Sequence, residues 1–304
     1  VTAPDWLWIP ITLWAAFAQT LRNAAQRHLT AELGTLGATL VRFLYGLPFA
    51  ALWLWLVARF GSYALPAASG SFAFWVTLGA VSQIVATAFL LATMRERNFA
   101  LGVAYSKTEI IQVAVFGLAF LGDPVTTATG IAILLGTLGV LLLSPADKAR
   151  PLASLVAGWT SRAALFGLAS GTGFAFSAIG YRGAALALGE APFLMAAAST
   201  LLVAQAIQTL LLGGWLLWRS RDVVRRVFAA WRASLFAGFM GAAASAGWFT
   251  AFTLETAAHV RTLGLIELVF SMAVARRFFR EKLTRLEFAG TCLLAAGIML
   301  VTLG

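Results

Sequence analysis

The stretch Asp123–Ser144, DPVTTATGIAILLGTLGVLLLS, carries no charge after its first residue. From Val125 it offers about 20 mostly apolar residues, the length an α-helix needs to cross a hydrocarbon core. Its apolar residues run continuously rather than alternating, which favours a helix over a strand of a membrane barrel. Moved along the chain by 158 residues, the stretch lies on Glu281–Thr302. Asp123 then falls on Glu281, Thr126 on Thr284 and Gly139 on Gly297, and VLLLS at 140–144 meets IMLVT at 298–302. The same shift places Glu109 on Glu267. Several matches in one ungapped register over two helices point to an internal duplication.

The same window applied outward gives apolar runs near 6–26, 35–58, 72–94, 98–121 and 125–144. A second set follows near 162–187, 193–218, 233–255, 259–278 and 284–303. Thr87-Ala88-Phe89 in the first set resembles Thr250-Ala251-Phe252 in the second. The predicted fold is an all-α membrane protein, with ten transmembrane helices arranged as two inverted five-helix repeats around a central cavity. Residues 1–146 form the first repeat and 147–304 the second, within one integral membrane domain. Composition agrees: 61% of the residues are hydrophobic and 11% charged, against about 25% charged in soluble domains. The first run, preceded by Asp5 rather than by a basic segment, reads as a mature helix and not a signal peptide.

Five helices per half is an odd number, so the two halves enter the membrane from opposite sides. The basic residues test this. Only Arg59 and Arg261 fall in even-numbered connections, and Arg22, Arg42, Lys107 and Arg182 lie within runs. The other sixteen of the 22 Lys and Arg fall in odd-numbered connections, which the positive-inside rule places in the cytoplasm. That distribution fits a multi-pass protein of a bacterial-type inner (plasma) membrane with external termini. It also argues against nucleic acid as a partner, despite the net charge of +10.

Catalytic signatures are missing. No Gly-x-Ser-x-Gly elbow, Walker loop or His-Glu-x-x-His occurs, so neither an enzyme nor a pump driven directly by ATP is expected. Cys292 is a single cysteine, His28 and His259 have no ligand-like spacing, and no metal or cofactor is expected.

Charges within apolar runs cost several kcal/mol and mark a pathway or a pair. Lys107 and Glu109 lie mid-way along the fourth run and Glu267 mid-way along the ninth. Residues two apart on a helix do not face each other, so Lys107 and Glu109 each need a partner elsewhere. The repeat brings Glu109 and Glu267 toward the bundle centre, where inverted-repeat carriers bind solute. In these roles Glu109 or Glu267 takes a proton or a solute ammonium, and Lys107 or Arg42 holds a carboxylate. Structural ion pairing is the alternative for all three mid-run charges, and snorkelling to the interface is the alternative for Arg42. Asn23, Tyr45, Gln83, Tyr105, Ser106, Trp248 and Tyr181 are the polar and aromatic candidates for a cavity wall suited to an amphipathic solute. For each aromatic, a place facing lipid is the competing reading.

With these residues in hand, the chain resembles the ten-helix, EamA-type carriers of the drug/metabolite transporter superfamily. The resemblance rests on Lys107-Thr108-Glu109-Ile110-Ile111 followed by Leu121-Gly122-Asp123-Pro124. Its second part is Gly264-Leu265-Ile266-Glu267-Leu268-Val269-Phe270 followed by Arg280-Glu281-Lys282-Leu283. It implies export of small organic solutes, including amino acids, by alternating access, and one subgroup is similar to aromatic amino acid exporters. Ile110 and Leu268 stand where the family often has proline, and the family is commonly drawn with cytoplasmic termini. Asp123 and Glu281 fall at membrane-edge turns and are expected to cap the next helix. The leading function is therefore a secondary exporter with a small-molecule solute, a surrounding of membrane lipid and a proton as the candidate coupling ion. A lipid or lipid-linked solute carrier is the alternative, which predicts a lateral opening lined by small residues. A membrane-embedded enzyme or scaffold ranks third.

Overall fold

A computed structural model of the chain describes residues 4–96, 106–107, 109–142 and 162–279. Near the C-terminus it describes 289–290, 292–293, 295–297 and 299–300. Tyr105, Glu281 and Thr284 lie outside the described residues. Among the described residues the elements are all helical. They are α1 (Trp8–Leu44), α2 (Leu47–Gly61), α3 (Gly70–Glu96), α4 (Glu109–Phe116) running into a π turn at Gly117–Leu121, and α5 (Thr127–Leu142). There follow α6 (Arg162–Ala187), α7 (Phe193–Arg219), α8 (Arg221–Ala229), α9 (Trp231–Leu254), α10 (Ala257–Leu263) and α11 (Ile266–Phe279). Among the described residues, four stretches are long and apolar enough to cross a membrane: Trp8–Gly61, Gly70–Arg95, Phe193–Arg219 and Trp231–Leu254.

The first of these is a hairpin. Gly34 takes φ 72° and ψ 174°, a conformation open only to glycine. The Gln26 amide donates to the Ala38 carbonyl at 2.7 Å. In an unbroken helix, residues twelve apart would be separated by about 18 Å, so the arms 8–33 and 35–44 fold back on each other. The first helix therefore passes its expected end at 26. Its polar C-terminal half is tolerated because Arg22, Asn23 and Gln26 are buried against protein rather than facing lipid.

Two other runs are broken where continuous helices were expected. A turn at Tyr45-Gly46 separates α1 from α2, and Pro48 near the start of α2 suits a helix N-terminus. The ninth run divides at Gly264-Leu265 into α10 and α11. The Leu268 N–H bonds to the Leu265 carbonyl at 2.9 Å across that break.

Packing joins the two halves of the chain. The most extensive helix contacts are α3 along α6 and α1 along α9. Small residues set the separation, as in many membrane bundles. A Cβ placed on Gly180 would lie 2.6 Å from the Gly79 nitrogen, and one on Gly247 would lie 2.8 Å from the Ala15 Cβ. The expected small face of α9 is also used: Gly238 abuts Tyr45, and Gly241 abuts the side chains of Arg42 and Arg22. Trp14, Leu52, Trp55, Phe74, Leu210 and Trp218 point outward, as lipid-facing side chains do.

The polar stretch between the seventh and eighth runs is the amphipathic helix α8. It buries Val224 and Val227 and exposes Arg221, Arg225 and Arg226, the pattern of a helix lying at a membrane surface.

Gly180→Val, forcing α3 and α6 apart, should destabilise the fold by about 1–3 kcal/mol. Gly34→Ala should cost a similar amount, about 1–3 kcal/mol, through backbone strain alone, because no atom lies within 4 Å of its Cβ position. Thermal unfolding in detergent should show a lowered midpoint for both.

Candidate functional site

Glu109 and Glu267 occupy equivalent places. Each lies in the first turn of a helix, α4 and α11 respectively, where the helix dipole favours a carboxylate. Each sits within a turn whose hydrogen bond joins residues three apart: Ile110 N–H to Lys107 O at 3.3 Å, and Leu268 N–H to Leu265 O at 2.9 Å. Both acids are buried, at 2% and 1% exposure, and Lys107 is at 5%.

Lys107 sits between them. Its ammonium donates to Glu267 Oε2 at 2.5 Å and lies 3.8 Å from Glu109 Oε1. The expectation that Lys107 and Glu109 cannot meet is corrected. Lys107 lies in the turn ahead of α4 and not on the helix, so helical spacing does not govern the pair.

Glu267 is fully engaged. Besides Lys107 it accepts from the Gln19 amide at 2.7 Å on Oε2 and from the Asn23 amide at 2.8 Å on Oε1. Gln19 and Asn23 stand four apart on α1 and share a face. The Gln19 carbonyl oxygen accepts the Trp248 indole N–H at 2.9 Å. The Asn23 carbonyl oxygen accepts two bonds from Arg22, at 2.6 and 3.2 Å. Glu109 is less engaged. Its Oε1 is 3.6 Å from Arg261 Nη1, and its Oε2 is buried without a hydrogen bond among the described residues. Arg261 also stacks over Trp248 at 4.7 Å and Phe252 at 5.3 Å from the ring centroids.

Two expectations about arginines change here. Arg42 does not snorkel. It is 1% exposed and donates to the Thr87 and Ser245 hydroxyls at 3.0 and 3.4 Å. Arg261, assigned from sequence to a connection, is also buried in the bundle.

The remaining candidates separate. Trp248 and Asn23 join the Glu267 cluster, as described. Gln83 and Tyr181 form a second cluster with Gln208: the Tyr181 hydroxyl donates to Gln83 Oε1 at 3.0 Å, and Gln208 Nε2 donates to that oxygen at 2.8 Å. Tyr45 belongs to neither, since its hydroxyl donates to the Val227 carbonyl at 3.1 Å and ties α1 to α8. Ser106 is buried beside Lys107 in sequence, and Tyr105 lies outside the described residues. Gln19, Arg22, Arg261 and Gln208 are not among the site candidates read from sequence. The i, i+4 spacing of Gln19 and Asn23 inside an apolar run was the signal available for the first.

A central cavity was expected, but the charged groups pack against one another. Two cavities lie elsewhere. One, of about 410 Å³, is an apolar groove lined by Ile11, Trp14, Phe49, Trp53, Ala243 and Gly247, among others. The other, of about 530 Å³, is lined by Thr35, Ala88, Phe89, Ala92, Arg95, Arg162 and Phe166.

Away from the charge cluster, Asp123 does not cap the next helix as expected. Thr126 does, its hydroxyl accepting the Thr129 N–H at 3.1 Å. Asp123 instead grips Arg182 with both oxygens, at 2.7 and 2.8 Å. Arg182 Nη1 also donates to the Phe252 and Glu255 carbonyls at 2.9 and 2.6 Å, satisfying carbonyls at the end of α9 that have no helical partner. Nearby, burial pushes the Glu255 carboxyl upward. Hydrogen bonds from His259 and the Thr256 N–H outweigh burial and hold it below its usual value of 4.5.

Residues 161–303 match the sequence model of the EamA-like transporter family. The second half of this chain is thus similar in sequence to that family. That likeness suggests a membrane transporter of the drug/metabolite transporter superfamily, in keeping with the long apolar helices. A solved crystal structure of another protein shares its fold with TM-score 0.69, over 97% of this chain and 96% of that one, at 16% identity. That likeness extends the fold across the first half, which the family model does not reach. No curated protein matches the sequence.

Two outcomes follow for this EamA-like chain. Lys107→Met leaves two buried carboxylates facing each other and should destabilise the protein by about 3–5 kcal/mol, read as a lowered unfolding midpoint. The Glu255 contribution, with its folded pKa depressed, is complete above pH 4.5 and is lost as pH falls through the lower folded value. The midpoint difference between the parent and Glu255→Gln should therefore be present near neutrality and vanish in acid.

Proposed function

We propose that the chain is a secondary transporter that exports small amphipathic metabolites, amino acids among them, by alternating access. In this reading the ten apolar runs are ten crossings in two inverted repeats, residues 1–146 and 147–304. The solute path passes the cluster of Lys107, Glu109 and Glu267. The observation that carries it is the convergence of two repeat-related acids on one buried lysine. Carriers with this architecture bind solute between broken helices near the midplane.

Reciprocal packing supports the repeat. Exchanging the halves turns the α1–α9 interface into an α6–α3 interface, and these two dominate the bundle. It maps the Glu109–Arg261 contact between the fourth and ninth runs onto the same pair of runs. It likewise maps the fifth and tenth runs onto each other, and Gly297 abuts Ala132, Leu135 and Gly136. Both Glu-bearing helices start at a break, so either can tilt without unwinding a continuous helix.

Glu109 is the better proton site of the two. Its Oε2 has no hydrogen bond among the described residues, whereas Glu267 accepts three.

One observation favours a second reading, a lipid carrier. The 410 Å³ groove opens between apolar side chains and the small residues Ala242, Ala243, Ala246 and Gly247. Such a lateral opening fits an acyl chain.

Reconstitution into liposomes separates these functions. A carrier should exchange radiolabelled solutes from an amino acid panel above empty liposomes, and Glu109→Gln should abolish the pH dependence of net flux while sparing exchange. Scrambling of labelled phospholipid without solute flux would replace the leading reading with the lipid carrier. Pure exchange with unaltered pH dependence in the Glu109 and Glu267 variants would remove the proton.

A further inference from the structure

The buried polar cluster is not electrically balanced. Among the described residues it contains four cations, Arg22, Arg42, Lys107 and Arg261, and two carboxylates, Glu109 and Glu267. Lys107 bonds Glu267, and Arg261 faces Glu109. No carboxylate among the described residues is left for Arg22 or Arg42. Their hydrogen bonds go to neutral groups: Arg22 to Asn23, and Arg42 to Thr87 and Ser245. Arg22 Nη1 and Arg42 Nε are buried with no acceptor among the described residues.

The two arginines are also neighbours. They come from opposite arms of the α1 hairpin, and their stems cross the same face of α9. A Cβ on Gly241 would lie 3.1 Å from Arg42 Cγ and 3.4 Å from Arg22 Cδ. A second positive charge beside the first, both away from water, is unfavourable unless an anion joins them. The guanidinium fork matches a carboxylate with two parallel N–H bonds. The glutamates, in contrast, are already faced by Lys107 and Arg261, so a solute ammonium would meet like charge there.

We propose that Arg22 and Arg42 form the solute-anchoring pair and that the transported metabolites are organic carboxylates carrying net negative charge. This deepens the carrier reading above and rests on it. The Trp248 indole and Phe252 ring, stacked at 6.3 Å beside Arg261, provide a nearby apolar surface for the solute's body.

Three probes sharing one aromatic ring separate the charge classes in liposomes containing the full chain: phenylpyruvate, phenylalanine and phenyltrimethylammonium. Phenylpyruvate should be carried in preference and should raise the thermal midpoint of the detergent-solubilised protein. Arg42→Met and Arg22→Met should each reduce that flux about tenfold or more, as expected for loss of a charge-assisted bond, and abolish the thermal shift. The unliganded midpoint of Arg42→Met should not fall, because a charge lacking a partner carboxylate among the described residues has been removed. If either Met variant fails to fold, Arg42→Lys, which keeps the charge without the fork, should show the same loss of flux and shift. Preference for phenylalanine or phenyltrimethylammonium, or full phenylpyruvate flux in the arginine variants, would overturn the anionic class and leave the carrier intact. Absence of flux for all three, above empty liposomes, would overturn both.

Discussion

A lysine ammonium held between two carboxylates, away from water and from lipid, constrains much of the bundle. Lys107 precedes α4, Glu109 begins α4 and Glu267 begins α11. Their contact fixes the starts of α4 and α11 against each other. Charges in a low-dielectric interior demand partners because the cost of leaving them alone exceeds that of distorting the backbone. The turns at Lys107 and at Gly264-Leu265 are consistent with that demand: they bring charged groups together that continuous helices would have held apart. The amides of Gln19 and Asn23 then complete the Glu267 carboxylate, and Trp248 and Arg22 orient those amides. A trail of bonds thereby links the hairpin of α1 to α9 and α11.

The rest of the bundle accommodates that cluster through close backbone approach. Gly79 against Gly180 and Ala15 against Gly247 let α3 meet α6 and α1 meet α9. Where a helix pair must make room for two arginine stems, α9 supplies Gly241. Small residues thus serve two ends in one helix: close packing near Gly247 and accommodation of charge near Gly241. At one end of the bundle, Arg182 ties the turn before α5 to the end of α9 through Asp123 and two carbonyls. These ties connect segments from both halves of the chain.

Much of this was legible in the residues. The apolar runs located α3, α5, α6, α7 and α9 closely, because about 20 apolar residues have one low-energy arrangement in lipid. The mid-run positions of Lys107, Glu109 and Glu267 marked the polar cluster, since a charge there must be compensated. The breaks were less legible. Gly34 and Gly264 are two glycines among 28, and nothing local distinguishes a glycine that ends a helix from one that lets helices touch. The position of Arg42 near a run end resembles that of a snorkelling residue, and Arg261 at the start of its run reads as part of a connection. Only the inward face of each helix reveals that both are buried. Asp123 pairs with Arg182 instead of capping the next helix, because a residue's partner depends on which helix lies opposite.

The sequence by itself determined the solvent, the helical class and the residues too costly to leave unpaired. Those follow from composition and from transfer free energies that act residue by residue. The tertiary structure alone decided which charges meet. Pairing depends on the directions of side chains from helices distant in sequence, so Lys107 meets two acids while Arg22 and Arg42 form no ion pair among the described residues. That asymmetry, four cations against two carboxylates among the described residues of one buried cluster, is a property of the assembled bundle. It could not be read from a net charge of +10 spread along a linear chain.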